Sequence, residues 1–192
     1  MTPGQGPTEA AMAVQQHADR SIDPARALAA LRVVTGFVFL WAFFDKAFGW
    51  GYATPAKSAW VNGGSPTRGF LSHVAVGPLE SVFHDWAGAW WADWLFMLGL
   101  LGIGLALVAG VALWITAAAG TLMLALMWAA EWPPARHLSD GTASGSSNPF
   151  VDYHVVYAVV LVALAAVGAG TTWGLGRRWA ALPWVRDRSW LR

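Results

Sequence analysis

Seven side chains that can carry charge or a proton stand at the ends of apolar runs in this sequence. Asp45 and Lys46 close a run that begins at Ala25. Asp93 lies just inside a run that opens at Trp90. Glu131 closes a run from Ile115. Asp152 and His154 open a run from Val151, with Tyr157 one turn further on. If the four runs are antiparallel helices, all of these ends fall in one layer. Such a layer can hold an anion, polarise a carbonyl and pass protons. Ionisable groups inside a membrane usually face the protein interior and mark a pathway or a site. The competing reading is anchoring, because helix ends lie near water and a lysine can snorkel to it. Lys46, Asp93, Glu131 and His154 are the candidate reactive groups.

Helical spacing separates the two neighbours. At about 100° per residue, Arg32, Gly36, Phe39, Phe43 and Lys46 share one face. Asp45 leaves that face, since adjacent helical positions do not face each other. Lys46 is therefore expected to look toward Asp93, Glu131 or Asp152. Asp45 is expected to look toward the 51–88 segment, to Lys57 or Arg68, or to water.

Other chemistries are excluded. Cysteine is absent, which removes disulfides, thiolate catalysis, thiolate metal sites and c-type haem attachment. No H-E-x-x-H or E-x-x-H spacing occurs, so no metal site is expected. No haem, flavin or iron–sulfur motif is present. The formal net charge of +1 over 192 residues gives no basic field for nucleic acid.

The elements that position these groups read as membrane helices. Of the residues, 56% are hydrophobic and only 12% charged, against about 25% charged in a soluble domain. Four runs approach the roughly 20 residues needed to span a bilayer. They are Ala25–Phe48, Trp90–Leu113, Ile115–Trp132 and Val151–Trp173. Asp23 and Pro24 suit the start of the first. Pro133-Pro134 stops the third. One helix from 90 to 132 would be about twice the thickness of a ~30 Å hydrocarbon core, so a turn near Gly110–Thr116 is expected.

The expected architecture is an all-α integral membrane four-helix bundle, multi-pass in the plasma membrane. Arg26, Arg177, Arg178, Arg186, Arg188 and Arg192 place both termini inside. Residues 1–24 read as a disordered cytoplasmic tail, 25–176 as the membrane domain and 177–192 as a basic cytoplasmic tail. The 51–88 segment is too apolar for a free linker and predicts short interfacial helices. The 133–149 loop is polar and expected to be mobile. The 14 tryptophans gather at both boundaries, where indoles favour the headgroup layer. Gly102, Ala106 and Gly110 form a ladder that predicts close helix contact.

The stretch Leu31–Gly49, "LRVVTGFVFLWAFFDKAFG", resembles the first helix of the DoxX family. Arg32, Gly36, Phe39-Leu40, Lys46 and Phe48-Gly49 stand at the family's places. Phe44 and Asp45 depart from it, where a small residue is usual. "NPFVDYH" and "TWGLGRRW" look like the DoxD-type branch, the large subunit of thiosulfate:quinone oxidoreductase. The resemblance covers roughly Arg26 to Trp184. It implies a membrane redox subunit passing electrons from thiosulfate, or another small sulfur compound, to quinone. Arg32 and Lys46 would then meet an anion or a quinone carbonyl. Asp93, Glu131 and His154 would manage protons. Trp41, Phe43, Trp94 and Tyr157 would line the quinone site. A partner subunit or soluble redox enzyme would share the work. The alternatives are a non-catalytic scaffold that recruits such enzymes through the 51–88 segment or the C-terminal tail, and a small-solute transporter.

Overall fold

The computed structural model describes residues 23–191. Of the disordered tail expected over 1–24, residues 1–22 lie outside them, and Asp23 and Pro24 belong to the start of the first helix. Helix α1, Pro24–Phe48, starts where expected. The Asp23 carboxylate accepts from the Ala25 amide at 3.0 Å, and Pro24 follows the cap. The helix ends at Gly49, whose φ of 67° is the left-handed C-cap conformation.

The 51–88 segment folds into two 3-10 turns, Ala56–Ser58 and Trp60–Asn62, and two short helices, α2 at Arg68–Leu71 and α3 at Glu80–Trp86. Helix α4 is Trp90–Ala109, and α5 is Leu113–Glu131. The turn between them falls at 110–112, where Gly110 and Ala112 take positive φ. Helix α6, Tyr153–Ala166, is capped by Asp152, which accepts from the amides of His154 and Val155. Helix α7, Gly176–Ala180, and a 3-10 turn at Ser189–Leu191 complete the chain. Among the described residues the only strand-like feature is a bridge between His137 and Ala143.

Helices α1, α4 and α5 are long and apolar enough to cross a membrane. Their outward faces carry large apolar side chains such as Val34, Phe37, Leu95, Leu98 and Leu122, all exposed. A helix apolar on every side suits a protein or lipid interior.

The fourth run is shorter than expected. Helix α6 has 14 residues and stops at Ala166 rather than near Trp173. At 1.5 Å per residue that is about 21 Å, less than a bilayer core. The cause is local. Gly168 turns left-handed at φ 62°, and the following backbone docks on the end of α4, with Leu175 N–H donating to Ala109 O at 2.7 Å. The C-terminal segment is also folded rather than a free tail. Val185 and Leu191 are buried, and the Trp179 indole N–H donates to the Leu191 carbonyl.

Helix α1 packs most extensively on α4, and α5 on α6. The close approach of α1 and α4 runs through Gly36 and Gly104. A Cβ on Gly36 would meet Leu107 Cβ at 2.9 Å and Gly104 O at 3.0 Å. Of the expected ladder, Gly102 is corrected, since nothing lies within 4 Å of a Cβ built there, whereas one on Gly110 would meet Gly170 Cα at 2.9 Å. Phe39, Met97, Leu100, Ile103, Leu124, Leu161 and Leu164 form the core between these helices.

Candidate functional site

Asp45 and Lys46 diverge as their helical positions require. The buried Asp45 carboxylate accepts from the backbone N–H groups of Tyr52 at 3.2 Å and Ala53 at 3.0 Å. It braces the start of the 51–88 segment through backbone amides, not through Lys57 or Arg68. Lys46 turns instead into a cavity of about 460 Å³, where Glu131 and Tyr153 also stand. The cavity wall is mainly aromatic and aliphatic, with Phe70, Phe83, Trp86, Trp91 and Phe96 contributing. The Tyr153 hydroxyl donates to Glu131 Oε1 at 2.8 Å. Among the described residues the ion pairs are Arg26–Asp23, His154–Asp152 and Arg186–Asp187. Among the described residues Lys46 has no carboxylate within ion-pair range, and Glu131 shares its cavity without pairing to it.

Asp93 is committed elsewhere. Its Oδ1 accepts from Ser65 Oγ at 2.8 Å, Thr67 N at 3.0 Å and Thr67 Oγ1 at 2.6 Å. Thr67 Oγ1 in turn accepts from the Gly88 amide at 3.2 Å. The carboxylate therefore ties the 65–67 turn and the entry to α4 together. All three bonds fall on Oδ1, and Asp93 does not line the Lys46 cavity.

His154 sits beside that cavity and is 1% exposed. Asp152 Oδ2 accepts from its Nδ1 at 2.9 Å. Ligand atoms of Glu131, Asp152 and His154 all lie within 4.8 Å of one another. Linear spacing could not show this group, since its members come from two helices. Glu131 is bonded to Tyr153, and Asp152 to the imidazole and two amides. Two hydrogen-bonded pairs, Tyr153–Glu131 and Asp152–His154, thus stand side by side at the cavity edge. Asp140, in the loop beyond α5, is a simpler case. The hydroxyl and N–H of Thr142 donate to it at 2.7 and 2.9 Å, and these bonds hold its carboxyl below the ordinary range.

Arg32 lies at the opposite end of α1, fully buried. Nη1 donates to the carbonyls of Leu107 and of Val108, the latter at 2.9 Å. Nη2 donates to Thr172 O at 3.0 Å and Trp173 O at 2.9 Å. Those carbonyls end α4 and the segment after α6, where orphan acceptors and the negative end of a helix dipole favour a cation. Arg32 is a structural clamp and does not face a ligand cavity, contrary to the expectation for it.

The expected aromatic lining is likewise placed elsewhere. Trp41 packs on Trp50 and Tyr52, with ring centroids 5.3 and 5.0 Å away. Phe43 meets Phe44 at 5.4 Å and the core. Trp94 meets Trp60 at 4.7 Å. Tyr157 packs at the core edge. None of these four lines the Lys46 cavity. The aromatics that do line it come largely from the short helices of the 51–88 segment and the first turns of α4, whose folding onto α4 and α5 no periodicity announces. Tyr153, not Tyr157, is the hydroxyl partner of Glu131, and its place beside the Asp152 cap is the signal the sequence offers for it.

Compared with family models, with curated proteins and with solved structures, the chain matches none.

Proposed function

We propose that this chain is a multi-pass plasma-membrane protein, a four-helix bundle with both termini cytoplasmic, acting as the membrane subunit of a quinone-linked oxidoreductase. The Lys and Arg distribution supports the orientation. One observation carries the functional reading. Lys46, without an ion-pair partner among the described residues, shares a largely apolar cavity of about 460 Å³ with the hydrogen-bonded pair Tyr153–Glu131. The resemblance of the α1 sequence to DoxX proteins points to thiosulfate, or another small sulfur compound, as reductant.

The residues present fit a quinone. Planar aromatic walls suit a ring, and the Lys46 ammonium suits a carbonyl oxygen or an anion. When bound, a quinone supplies the acceptor for two electrons and two protons. Lys46 would hold and polarise an oxygen at the polar end of the cavity. Glu131 is exposed at the rim, so it can exchange protons with water and with the Tyr153 hydroxyl. The apolar wall keeps water from the remainder. A partner subunit or soluble redox enzyme completes the electron path, because this chain has no cysteine or haem motif of its own.

The test is thiosulfate-dependent quinone reduction by purified protein, alone and with co-purifying proteins. Lys46→Met is expected to lower the rate about 100-fold, on the scale of losing one preorganised electrostatic contact. Retention of full rate by that variant would remove the cavity from the chemistry. It would favour the scaffold reading, which the exposed cations Arg177, Arg178, Arg186 and Arg188 of the folded C-terminal segment support.

A further inference from the structure

Helices α4 and α5 follow each other in the chain, yet they pack on each other far less than α1 does on α4 or α5 on α6. They are tied together at two places. The 110–112 turn joins the ends far from Lys46. At the Lys46 end α3 spans the gap, with Phe83 packed against Ala130 of α5 and Trp86 against Trp91 of α4, ring centroids 5.3 Å apart. Between these ties the Lys46 cavity continues as a slot. On α4 its wall reaches from Trp91 to Ile103, and on α5 from Glu131 back to Ala119. Either stretch is about 18 Å of helix, more than half of a ~30 Å hydrocarbon core.

The slot is open on one side. Leu95, Leu122 and Leu126 line it and are themselves exposed, so its mouth lies between the outward apolar faces of two membrane-length helices. The end beside Lys46 is covered instead, by Phe70 of α2 and Phe83 and Trp86 of α3. In a bilayer the open side meets lipid and the covered end meets water. A ligand therefore has an apolar way in.

One residue pair crosses the slot. A Cβ built on Gly99 of α4 would collide with Met123 Cε, and Met123 is the only side chain it would meet among the described residues. The missing Cβ leaves room for that methyl to reach across from α5. Methionine is unbranched and turns about three bonds, so it re-packs at low cost. The polar end selects the head group. Lys46 and Glu131 both line it, and a free fatty acid would bring a second carboxylate beside Glu131. An uncharged polar head avoids that repulsion.

We propose that the slot is the tail site of the Lys46 cavity. A quinone with an apolar chain enters sideways from the bilayer between α4 and α5, its chain lies along the slot, and Met123 swings off Gly99 to admit it. The proposal rests on the quinone reading for the head group. It adds the class of quinone, the place of its chain and the route.

The experiment uses the full chain in nanodiscs and two probes, a tail-free dimethoxy-methyl-benzoquinone and its decyl derivative, titrated to equilibrium. Ala119 is exposed, and Ala119→Trp fills the slot far from Lys46. It is expected to weaken the decyl quinone about five-fold or more, as overpacking does, and to change the tail-free quinone less than about two-fold. Each quinone partitions equally into parent and variant nanodiscs, so the ratio belongs to the protein. Gly99→Ala drives Met123 into the slot and is expected to weaken the decyl quinone about three-fold, with Met123→Ala in the same chain restoring it. A decyl quinone whose chain ends in a diazirine is expected, on photolysis and peptide mass spectrometry, to label Met123 or Ala119. Unchanged decyl-quinone affinity in Ala119→Trp, labelling confined to outward residues of α1 such as Val34 and Phe37, or a Gly99→Ala variant that binds normally or is not restored by Met123→Ala would each overturn the tail site and leave the quinone reading standing. Failure of both quinones to bind the parent chain would instead remove the quinone reading and the tail site with it.

Discussion

Arg32 and Lys46 share a face of α1 and lie about 21 Å apart along it, yet their surroundings differ in kind. Arg32 is enclosed by four carbonyls that end other segments. Lys46 stands in a largely apolar cavity with no carboxylate in ion-pair range. A guanidinium presents a planar fork of donors and suits several fixed acceptors at once, whereas an ammonium is a mobile point charge. One cation is therefore consumed by the architecture. The other has no such partner among the described residues.

The sharpest way to break this contrast is to exchange the consequences. Arg32→Met should cost about 3 kcal/mol or more, because it strands several buried carbonyls; a thermal melt in detergent measures it. Lys46→Met should cost less than about 1 kcal/mol while abolishing most activity. A chain that tolerates the first and unfolds with the second would reverse the assignment.

The contact that makes α1 one rigid link between its ends offers the next test. Gly36→Ala should destabilise by about 1–3 kcal/mol through overpacking against Leu107 and Gly104. Gly102→Ala, facing open space, should be neutral or stabilising by up to about 1 kcal/mol. Equal effects on urea or thermal stability would deny that only the first glycine marks a helix contact.

At the Lys46 end, Asp152→Ala removes the α6 cap and strands the buried Nδ1 of His154, and should cost about 2 kcal/mol, with thiosulfate-dependent turnover changing less than in Lys46→Met. The smallest effect belongs to the loop outside both ends. Asp140 has its folded pKa held below the unfolded value by Thr142. Its contribution is thus present above an ordinary carboxylate pKa of about 4 and lost as pH falls through the lower folded value. Thr142→Val should raise the Asp140 pKa toward that ordinary value in an NMR titration and leave both ends unchanged.

Much of the fold could be read from punctuation. Asp23-Pro24, Gly49, Gly110 and Pro133-Pro134 each mark a helix boundary that the structure places within a few residues. The end of α6 is harder to place, because Gly168 and Gly170 weaken a helix without having to end it in an apolar run. The left-handed turn at Gly168 and the docking of the following backbone on the end of α4 stop it together. The site was legible in part. Lys46 and Glu131 share a cavity because both close helices that run in the same direction, with α4 returning between them. The roles of Arg32, Asp45 and Asp93 were hidden for a common reason: most of their partners are backbone amides and carbonyls, which carry no signature in the residue types. Asp93 takes hydroxyls from Ser65 and Thr67 as well, but only a folded turn brings those to it.

The clamp at Arg32 also bears on biogenesis. Two of its four acceptors, Thr172 and Trp173, belong to a stretch synthesised some 140 positions after it. During translation the first hydrophobic segment must wait with a guanidinium only half satisfied until nearly the whole chain has emerged. Nascent chains released before Thr172 should therefore be poor clients for stable integration and ready targets for quality-control proteolysis, even though three long apolar helices are already complete.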